Sequence, residues 1–266
     1  MEKNSQKYFR FDLELGKLYA IWLREFKVFL REKSRLVAST FTPLLWLFVL
    51  GGGLGSTIST PSNSSNVDYQ EFIFPGIVIM SVIFSSVFFG AYIIWDRKFD
   101  FLKSVMVAPV RRSTIFLGKT LGGMTTSLIQ AFILLGIGVI IGINYTPYSM
   151  ISFVVIVLML SFALTSLGLA IGSYMESLEG FQLIVSFVAF PLYFLSGALF
   201  PLNNIPSWLS ILTSFNPATY AVEALRISML GIPGKNLFIV NMGVLLLTTV
   251  ILGIAGILSF KRMKAV

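Results

Sequence analysis

Glu223 and Arg226 are the only charged residues in an otherwise apolar stretch, residues 209–230. On a helix, residues three apart lie on the same face, where opposite charges can pair. Pairing lowers the cost of placing charge at lipid depth. The simplest interpretation is therefore a structural pair, and contact with a transported substrate is the alternative.

Leu117-Gly118-Lys119-Thr120 resembles the end of a phosphate-binding P-loop, whose pattern is G-x-x-x-x-G-K-[ST]. The pattern needs a glycine at position 113, which is Ser113. No glycine-rich loop after a strand is predicted here, and the segment directly precedes a long apolar run. The sequence therefore predicts no nucleotide site in this chain.

The residue inventory removes several enzyme classes. The chain contains no cysteine and no histidine, so disulfides, thiol catalysis, Ser-His triads and histidine-based metal sites are excluded. Its twelve Asp and Glu residues are too scattered to suggest a two-carboxylate active site. We expect no catalytic, metal-binding or cofactor-binding residue in this chain.

Composition decides the class of protein. Of 266 residues, 56% are hydrophobic and 12% are charged, whereas about 25% are charged in an ordinary soluble domain. Mean hydropathy is +0.85. The sequence therefore predicts an all-α polytopic membrane protein. Because the predicted spans contain no Asp, Glu, Lys or Arg, an ion-coupled carrier is disfavoured, and energy must come from elsewhere or the protein is passive.

Six apolar runs are long enough to cross a bilayer, which takes roughly 20 residues. They cover residues 36–58, 72–95, 120–143, 150–175, 181–200 and 237–260. This divides the chain into an N-terminal segment (1–35), a six-span domain (36–260) and a short tail (261–266). The connection 201–235 is too polar at its centre for a seventh span. We expect it to form a re-entrant or surface-lying pair of helices on the outer side.

The positions of Lys and Arg predict orientation. Nine precede the first span, six lie between the second and third, and three follow the sixth, whereas the outer side has Arg226 and Lys235. Both termini are therefore expected in the cytoplasm, with the protein in the cell membrane. The same distribution explains the net charge of +8, so no nucleic-acid partner is needed.

Two further patterns concern helix contacts. Between residues 15 and 30 the apolar positions form a helical stripe flanked by basic residues, which predicts an amphipathic interfacial helix. Anchoring on membrane lipids and docking of a partner remain equal alternatives. Glycine pairs at four-residue spacing, such as Gly118/Gly122 and Gly168/Gly172, allow close helix approach. We expect these faces and the uncharged first and fifth spans to meet a second copy.

Three stretches together resemble the ABC type-2 permease family, which contains drug, lipid and polysaccharide exporters. The first is the loop from Trp95 to Lys119, with Ala108-Pro109-Val110-Arg111-Arg112 and Leu117-Gly118-Lys119. The others are Ser196-Gly197-Ala198-Leu199-Phe200-Pro201 with Ile205-Pro206-Ser207-Trp208-Leu209, and Asn216-Pro217-Ala218-Thr219-Tyr220 leading to Glu223 and Arg226. The chain departs from the pattern after the second span, where Asp96 to Asp100 replace the usual Glu and Gly.

The resemblance implies a half-transporter. Two permease copies, as a homodimer or with a close relative, would work with two separate ABC ATPase subunits that hold ATP and Mg²⁺. The loop 95–119 would be the coupling loop inserting into the ATPase, with the N-terminal helix beside it. The residues expected to contact the ATPase are Arg97, Phe101, Leu102, Lys103, Val105 and Arg111. The expected outer segment is marked by Asn216, Pro217, Tyr220, Glu223 and Arg226. The alternative is a loop that lies on lipid.

Aromatic-rich spans, with 25 Phe in the chain, suit a hydrophobic or amphiphilic substrate, drug-like or lipid-like, better than a small ion. The resulting hypothesis is an ATP-driven exporter that works by alternating access. Lipid-linked polysaccharide is the rival cargo. A passive channel or scaffold without an ATPase is the alternative from a different functional class.

Overall fold

The computed structural model of the chain describes residues 2–55, 69–202, 205–232, 234 and 236–263. All regular structure in these ranges is helical, as the sequence predicts. The helices are α1 (Glu2–Arg31), α2 (Lys33–Gly55), α3 (Tyr69–Phe88), α4 (Ala91–Lys98), α5 (Phe101–Val107), α6 (Arg112–Ile141), α7 (Pro147–Tyr174), α8 (Leu178–Phe194), α9 (Ser207–Phe215), α10 (Pro217–Leu230) and α11 (Phe238–Arg262).

Five segments in the described ranges are long and apolar enough to cross a membrane: Leu36–Gly53, Tyr69–Lys98, Arg112–Ile141, Pro147–Tyr174 and Phe238–Arg262. They correspond to the first four predicted spans and the sixth. The fifth prediction differs, because α8 has 17 residues, or about 26 Å of helix at 1.5 Å per residue. The chain leaves this helix at Leu195 and turns at Gly197, whose φ is +70°.

The helices of the second and third predicted spans continue beyond those spans and include charged residues near their ends. α6 begins at Arg112, eight residues before the predicted start of the third span, so Lys119 lies inside the helix and is fully buried. Asp96 is buried near the end of α4, which continues the second span. An apolar run marks the lipid-exposed part of a helix but misses a polar end that is covered by protein.

Polar residues at the helix starts explain where several elements begin. The Thr146 hydroxyl accepts a hydrogen bond from the Ser149 amide at 3.1 Å, and Pro147 occupies the first helical position of α7. Asn216 and Pro217 do the same for α10, where the Asn216 side chain accepts from the Ala218 amide at 2.9 Å. Such caps satisfy backbone amides that have no partner inside the helix.

The core is built around α3, which contacts α2, α6, α7, α8 and α10. Close packing depends on small residues: a Cβ on Gly168 of α7 would lie 2.2 Å from the Val87 carbonyl oxygen, and one on Gly90 would lie 2.0 Å from the Gly168 carbonyl oxygen. On α6, Gly118 and Gly122 face Ile21 and Glu25 of α1 in the same way, so both glycine faces are occupied within one chain. The expectation that they meet a second copy is wrong for these two pairs.

Candidate functional site

A buried charged cluster joins α1, α4 and α6. The Lys119 ammonium of α6 lies 2.9 Å from Oε1 of Glu25 in α1 and also contacts the Asp96 carboxylate of α4. Lys119 is 0% exposed, and both carboxylates are buried. A buried charge without a partner would destabilise the fold by roughly several kcal/mol, because it loses its hydration. The three side chains therefore depend on one another.

Arg24 completes this cluster and balances its charge. Its guanidinium lies 2.6 Å from Oδ1 of Asp96 and 2.7 Å from Oε1 of Glu25, which gives two cations and two anions. Burial lowers the pKa of Arg24, but the hydrogen bond and charge of Asp96 and the charge of Glu25 outweigh it and raise that pKa above the ordinary value. We call Arg24, Glu25, Asp96 and Lys119 the charge cluster.

The charge cluster also contacts α5. The guanidinium carbon of Arg24 lies 3.5 Å from the centre of the Phe101 ring, a cation–π contact. Asp100 forms the turn between α4 and α5 with a left-handed backbone, φ 55°, a conformation that Asp and Asn tolerate better than most residues. This turn brings Phe101 back beneath Arg24.

Glycine spacing on α6 lets α1 approach the cluster. A Cβ on Gly122 would lie 2.5 Å from Cβ of Glu25, and one on Gly118 would lie 2.8 Å from Cβ of Ile21. Trp22 adds a hydrogen bond from its indole nitrogen to the Thr125 hydroxyl at 2.9 Å. The amphipathic stripe predicted for α1 thus packs, at least in part, on α6.

Two further polar contacts hold α1 about three turns before Glu25. The Thr114 hydroxyl donates to Oε2 of Glu14 at 2.6 Å, and Lys17 donates to the Pro109 carbonyl at 2.6 Å. The hydrogen bond from Thr114 lowers the pKa of the Glu14 carboxyl, with desolvation opposing it and Lys17 adding to it. α1 is therefore held to the α5–α6 connection and to the first turn of α6.

The residues predicted to contact an ATPase fall into different environments. Arg97 donates to the carbonyl oxygens of Ser173 and Met175 at 3.0 and 2.9 Å, which ties α4 to the end of α7. Arg111 is exposed and precedes α6. The side chain of Lys103 lies outside the described part of the structure.

Leu102 is buried, unlike several of the other residues predicted to contact an ATPase. It is 3% exposed and packs in a hydrophobic cluster with Phe116 and Phe260, and Val105 lies against the same cluster. Its side chain therefore contributes to the packing of the fold. The apolar pattern of α5 could not separate its buried face from its exposed one, because both faces carry apolar residues.

The exposed apolar residues of this region are others. Phe99 is 71% and Val107 is 88% exposed, and Trp95 stacks on Phe99 with ring centres 5.7 Å apart. Beside Trp95 lies a groove of about 480 Å³ between α4 and the α7–α8 connection. Its charged lining residues are Arg97, Lys98, Glu176 and Glu179.

The predicted outer residues have structural contacts. Arg226 is buried, donates to the carbonyls of Ala198 and Phe72 at 2.9 and 3.3 Å, and lies 3.9 Å from the centre of the Phe72 ring. Glu223 accepts from Asn236 at 3.4 and 3.5 Å. The ion pairs of described side chains within 4.0 Å do not include one between Glu223 and Arg226. In place of the predicted direct pair, Arg226 contacts backbone carbonyls and Glu223 contacts the backbone and side-chain amides of Asn236.

The other outer residues join α10 to its neighbours. Asn216 donates from its side-chain amide to the Leu192 carbonyl of α8 at 2.8 Å, in addition to capping α10. The Tyr220 hydroxyl donates to the Ser214 carbonyl of α9 at 2.7 Å. Pro217 begins α10. This segment is thus a fixed helical pair connected to α8 and α3.

A comparison with known proteins identifies the family. The sequence model of the ABC-2 type transporter family matches residues 16–230. This range includes the charge cluster, α4, α5 and the helical pair α9–α10. The chain belongs to the ABC-2 type transporter family. The resemblance read from the sequence motifs is thereby confirmed.

Three relatives of this chain match four fifths or more of its length. It is 31% identical to the inner membrane transport permease YadH of Escherichia coli (strain K12) over 225 residues, 81% of this chain and 83% of the relative. It is 28% identical to ycf38 of Cyanophora paradoxa over 258 residues, 93% and 89% of the two chains. Nodulation protein J of Rhizobium leguminosarum bv. trifolii is 26% identical over 219 residues, 80% and 81%. The ABC-2 protein is a multi-pass membrane transport permease.

Proposed function

We propose that this permease is the membrane-spanning subunit of an ATP-driven exporter. Two copies form the pathway, and two separate ATPase subunits, which hold ATP and Mg²⁺, bind at α4 and α5. Both termini lie in the cytoplasm, and α9 and α10 form the re-entrant outer segment before the sixth span. The observation that carries this proposal is the charge cluster, which connects the short helix α5 to α1 and α6.

The charge cluster links α5, in the coupling loop, rigidly to the membrane helices. Displacement of Phe101 moves Arg24, and Arg24 is held by carboxylates on α1 and α4 that Lys119 of α6 also holds. Buried ion pairs resist separation because each partner left alone would be an uncompensated charge. Closure of the ATPases would thus move α1, α4 and α6 together and favour the outward-facing state. The size of this shift is set by how much more tightly the closed ATPases bind the outward-facing state than the inward-facing one.

Exposed apolar surfaces support the binding of both an ATPase and a second copy of the permease. Trp95, Phe99 and Val107 form an exposed apolar surface beside the charged groove, and buried apolar anchors ringed by polar residues provide most of the energy of protein interfaces. In α2 and α8, large apolar side chains such as Phe41 and Phe187 are exposed. We assign these two helices to contact with the second copy and with lipid.

The decisive experiment measures ATPase association. The tagged permease is purified from its own host's membranes, and the co-purifying ABC ATPase is quantified together with ATP hydrolysis. A Phe99→Ala/Val107→Ser double variant should lose at least tenfold of the bound ATPase, about 1.4 kcal/mol. Ile140→Ser is the matched control, because Ile140 is 85% exposed near the other end of α6.

Two outcomes would contradict the proposal. Purified permease without any ABC ATPase would favour the passive channel or scaffold. Equal ATPase binding by the double variant and the Ile140→Ser control would move the docking surface away from α4 and α5. The cargo is proposed to be hydrophobic or amphiphilic, with lipid-linked polysaccharide as the alternative, and transport into inverted vesicles with each cargo separates the two.

A further inference from the structure

A cavity of about 270 Å³ lies between α2, α3 and α6, apart from the charge cluster. Its lining combines the aromatic rings of Phe84 and Phe88 with the polar side chains of Ser39, Ser81 and Gln130. A site that combines apolar walls with a few convergent polar groups is typical of ligand pockets. Neither the family motifs nor the coupling contacts account for it.

Two of these polar groups are buried without a partner among the described residues. Gln130 is 1% exposed, and its side-chain nitrogen donates to the Ser39 hydroxyl at 2.6 Å, whereas its Oε1 has no hydrogen bond. The Ser81 hydroxyl, also buried, has none. A buried polar group left unsatisfied is costly. Both groups line the cavity, so a ligand inside it can satisfy them.

The neighbouring polar groups are already used. The Ser85 hydroxyl, on the same wall, shares a hydrogen bond with Ser127 at 2.6 Å, and Ser127 shares another with Ser86 at 2.8 Å. Gln130 and Ser81 are thus the groups that define the ligand chemistry. A hydroxyl both donates and accepts, so a ligand hydroxyl can donate to Oε1 of Gln130 and pair with the Ser81 hydroxyl.

The lining also excludes charge. The described lining residues are Ser, Thr, Pro, Met, Phe and Gln, without an acidic or basic side chain. A charged head group would lose its water here without gaining a counter-ion. The ligand must therefore be neutral at the end that enters.

We propose that this cavity binds the head group of an uncharged, hydroxyl-bearing amphiphile, with Gln130 and Ser81 as its hydrogen-bond partners. Its volume is slightly below the roughly 300–1,000 Å³ of drug-sized sites, so it holds a head group and not a whole lipid. Thr42 of α2 lines the cavity and is exposed, and the acyl chain leaves on this side. The site names the substrate class of the proposed exporter and rests on that function.

The test uses mono-oleoylglycerol that carries a diazirine in its acyl chain, with the purified permease in lipid nanodiscs. After irradiation, mass spectrometry should locate adducts beside Thr42 and between residues 80 and 88. Unlabelled mono-oleoylglycerol should compete at concentrations about tenfold lower than methyl oleate, which has no hydroxyl, or oleate, which is charged.

Variants then assign the partners. Gln130→Leu keeps the approximate size and removes both polar atoms, and Ser81→Ala removes only the hydroxyl. Each should raise the concentration for half-maximal competition by about tenfold. Gln182→Leu is the matched control, because Gln182 is exposed on α8. If Gln130→Leu fails to fold, the Ser81→Ala result decides.

Unchanged competition in Ser81→Ala and Gln130→Leu would overturn the proposal, and so would oleate competing as well as mono-oleoylglycerol. Adducts spread equally over the exposed faces of α8 and α11 would indicate only lipid contact and would also overturn it. Because labelling needs neither ATP nor an ATPase, binding by a permease that recruits no ATPase would leave this site standing while the exporter proposal fails.

Discussion

The Lys119 ammonium on α6 lies 2.9 Å from the Glu25 carboxylate on α1, and both side chains are buried. This contact fixes the N-terminal helix to the start of the third span. With Asp96 and Arg24 it forms a neutral cluster of two cations and two anions. Each charge is tolerated because the others are present.

Removal of the central cation should therefore destabilise the protein strongly. Lys119→Met leaves two buried carboxylates with Arg24 alone, and we expect a loss of about 3–5 kcal/mol in unfolding free energy. The measurement is the unfolding of the purified protein in denaturant. Lys17→Met is the control, because Lys17 also pairs with a glutamate of α1 but is partly exposed, and such pairs contribute about 0–1 kcal/mol.

Leu102 and Phe99 should give opposite phenotypes although they are three residues apart. Leu102→Ala opens a cavity in the core and should cost about 2–5 kcal/mol of stability. Phe99→Ala should leave the unfolding free energy within about 0.5 kcal/mol and reduce ATPase association instead. Thermal unfolding and co-purification on the same preparations distinguish them. A stable Leu102→Ala that has lost the ATPase would restore Leu102 as a direct contact.

The approach of α1 to α6 should depend on Gly122. In Gly122→Ala the new Cβ would lie 2.5 Å from Cβ of Glu25, so α1 must shift and the charge cluster must loosen. We expect a loss of about 1–3 kcal/mol. Gly136→Ala on the same helix has no atom within 4 Å of the new Cβ and should be neutral or slightly stabilising. Equal effects of the two substitutions would show that α1 is not held there.

The orientation can be tested because the chain has no natural cysteine. Single Arg111→Cys and Trp208→Cys variants place thiols at two exposed positions. A membrane-impermeant maleimide applied to whole cells should label Trp208→Cys directly and Arg111→Cys only after permeabilisation. Labelling of Trp208→Cys only in permeabilised cells would contradict both the outer position of α9 and the orientation from the positive charges.

The sequence alone predicts the all-helical membrane class and the family. It also predicts four of the five described spans to within a few residues, whereas the third predicted span begins eight residues too late. These features depend on local composition and on motifs that lie together in the chain. Long apolar runs indicate segments that can cross a membrane, and Asn216-Pro217 indicates the start of a helix. Such local signals can be recognised along the chain without knowing which helices touch.

The charge cluster was decided by tertiary structure alone. Arg24 and Glu25 are 71 to 95 residues from Asp96 and Lys119 in the chain. In the sequence, Arg24 and Glu25 read as charges on an amphipathic helix, and Asp96 and Lys119 read as charges of a cytoplasmic loop. Leu102 and Phe99 likewise have the same apolar character, and only the turn at Asp100 sets one inward and the other outward. Composition reports whether a residue avoids water, whereas the packing of distant helices determines which surface or charge it meets.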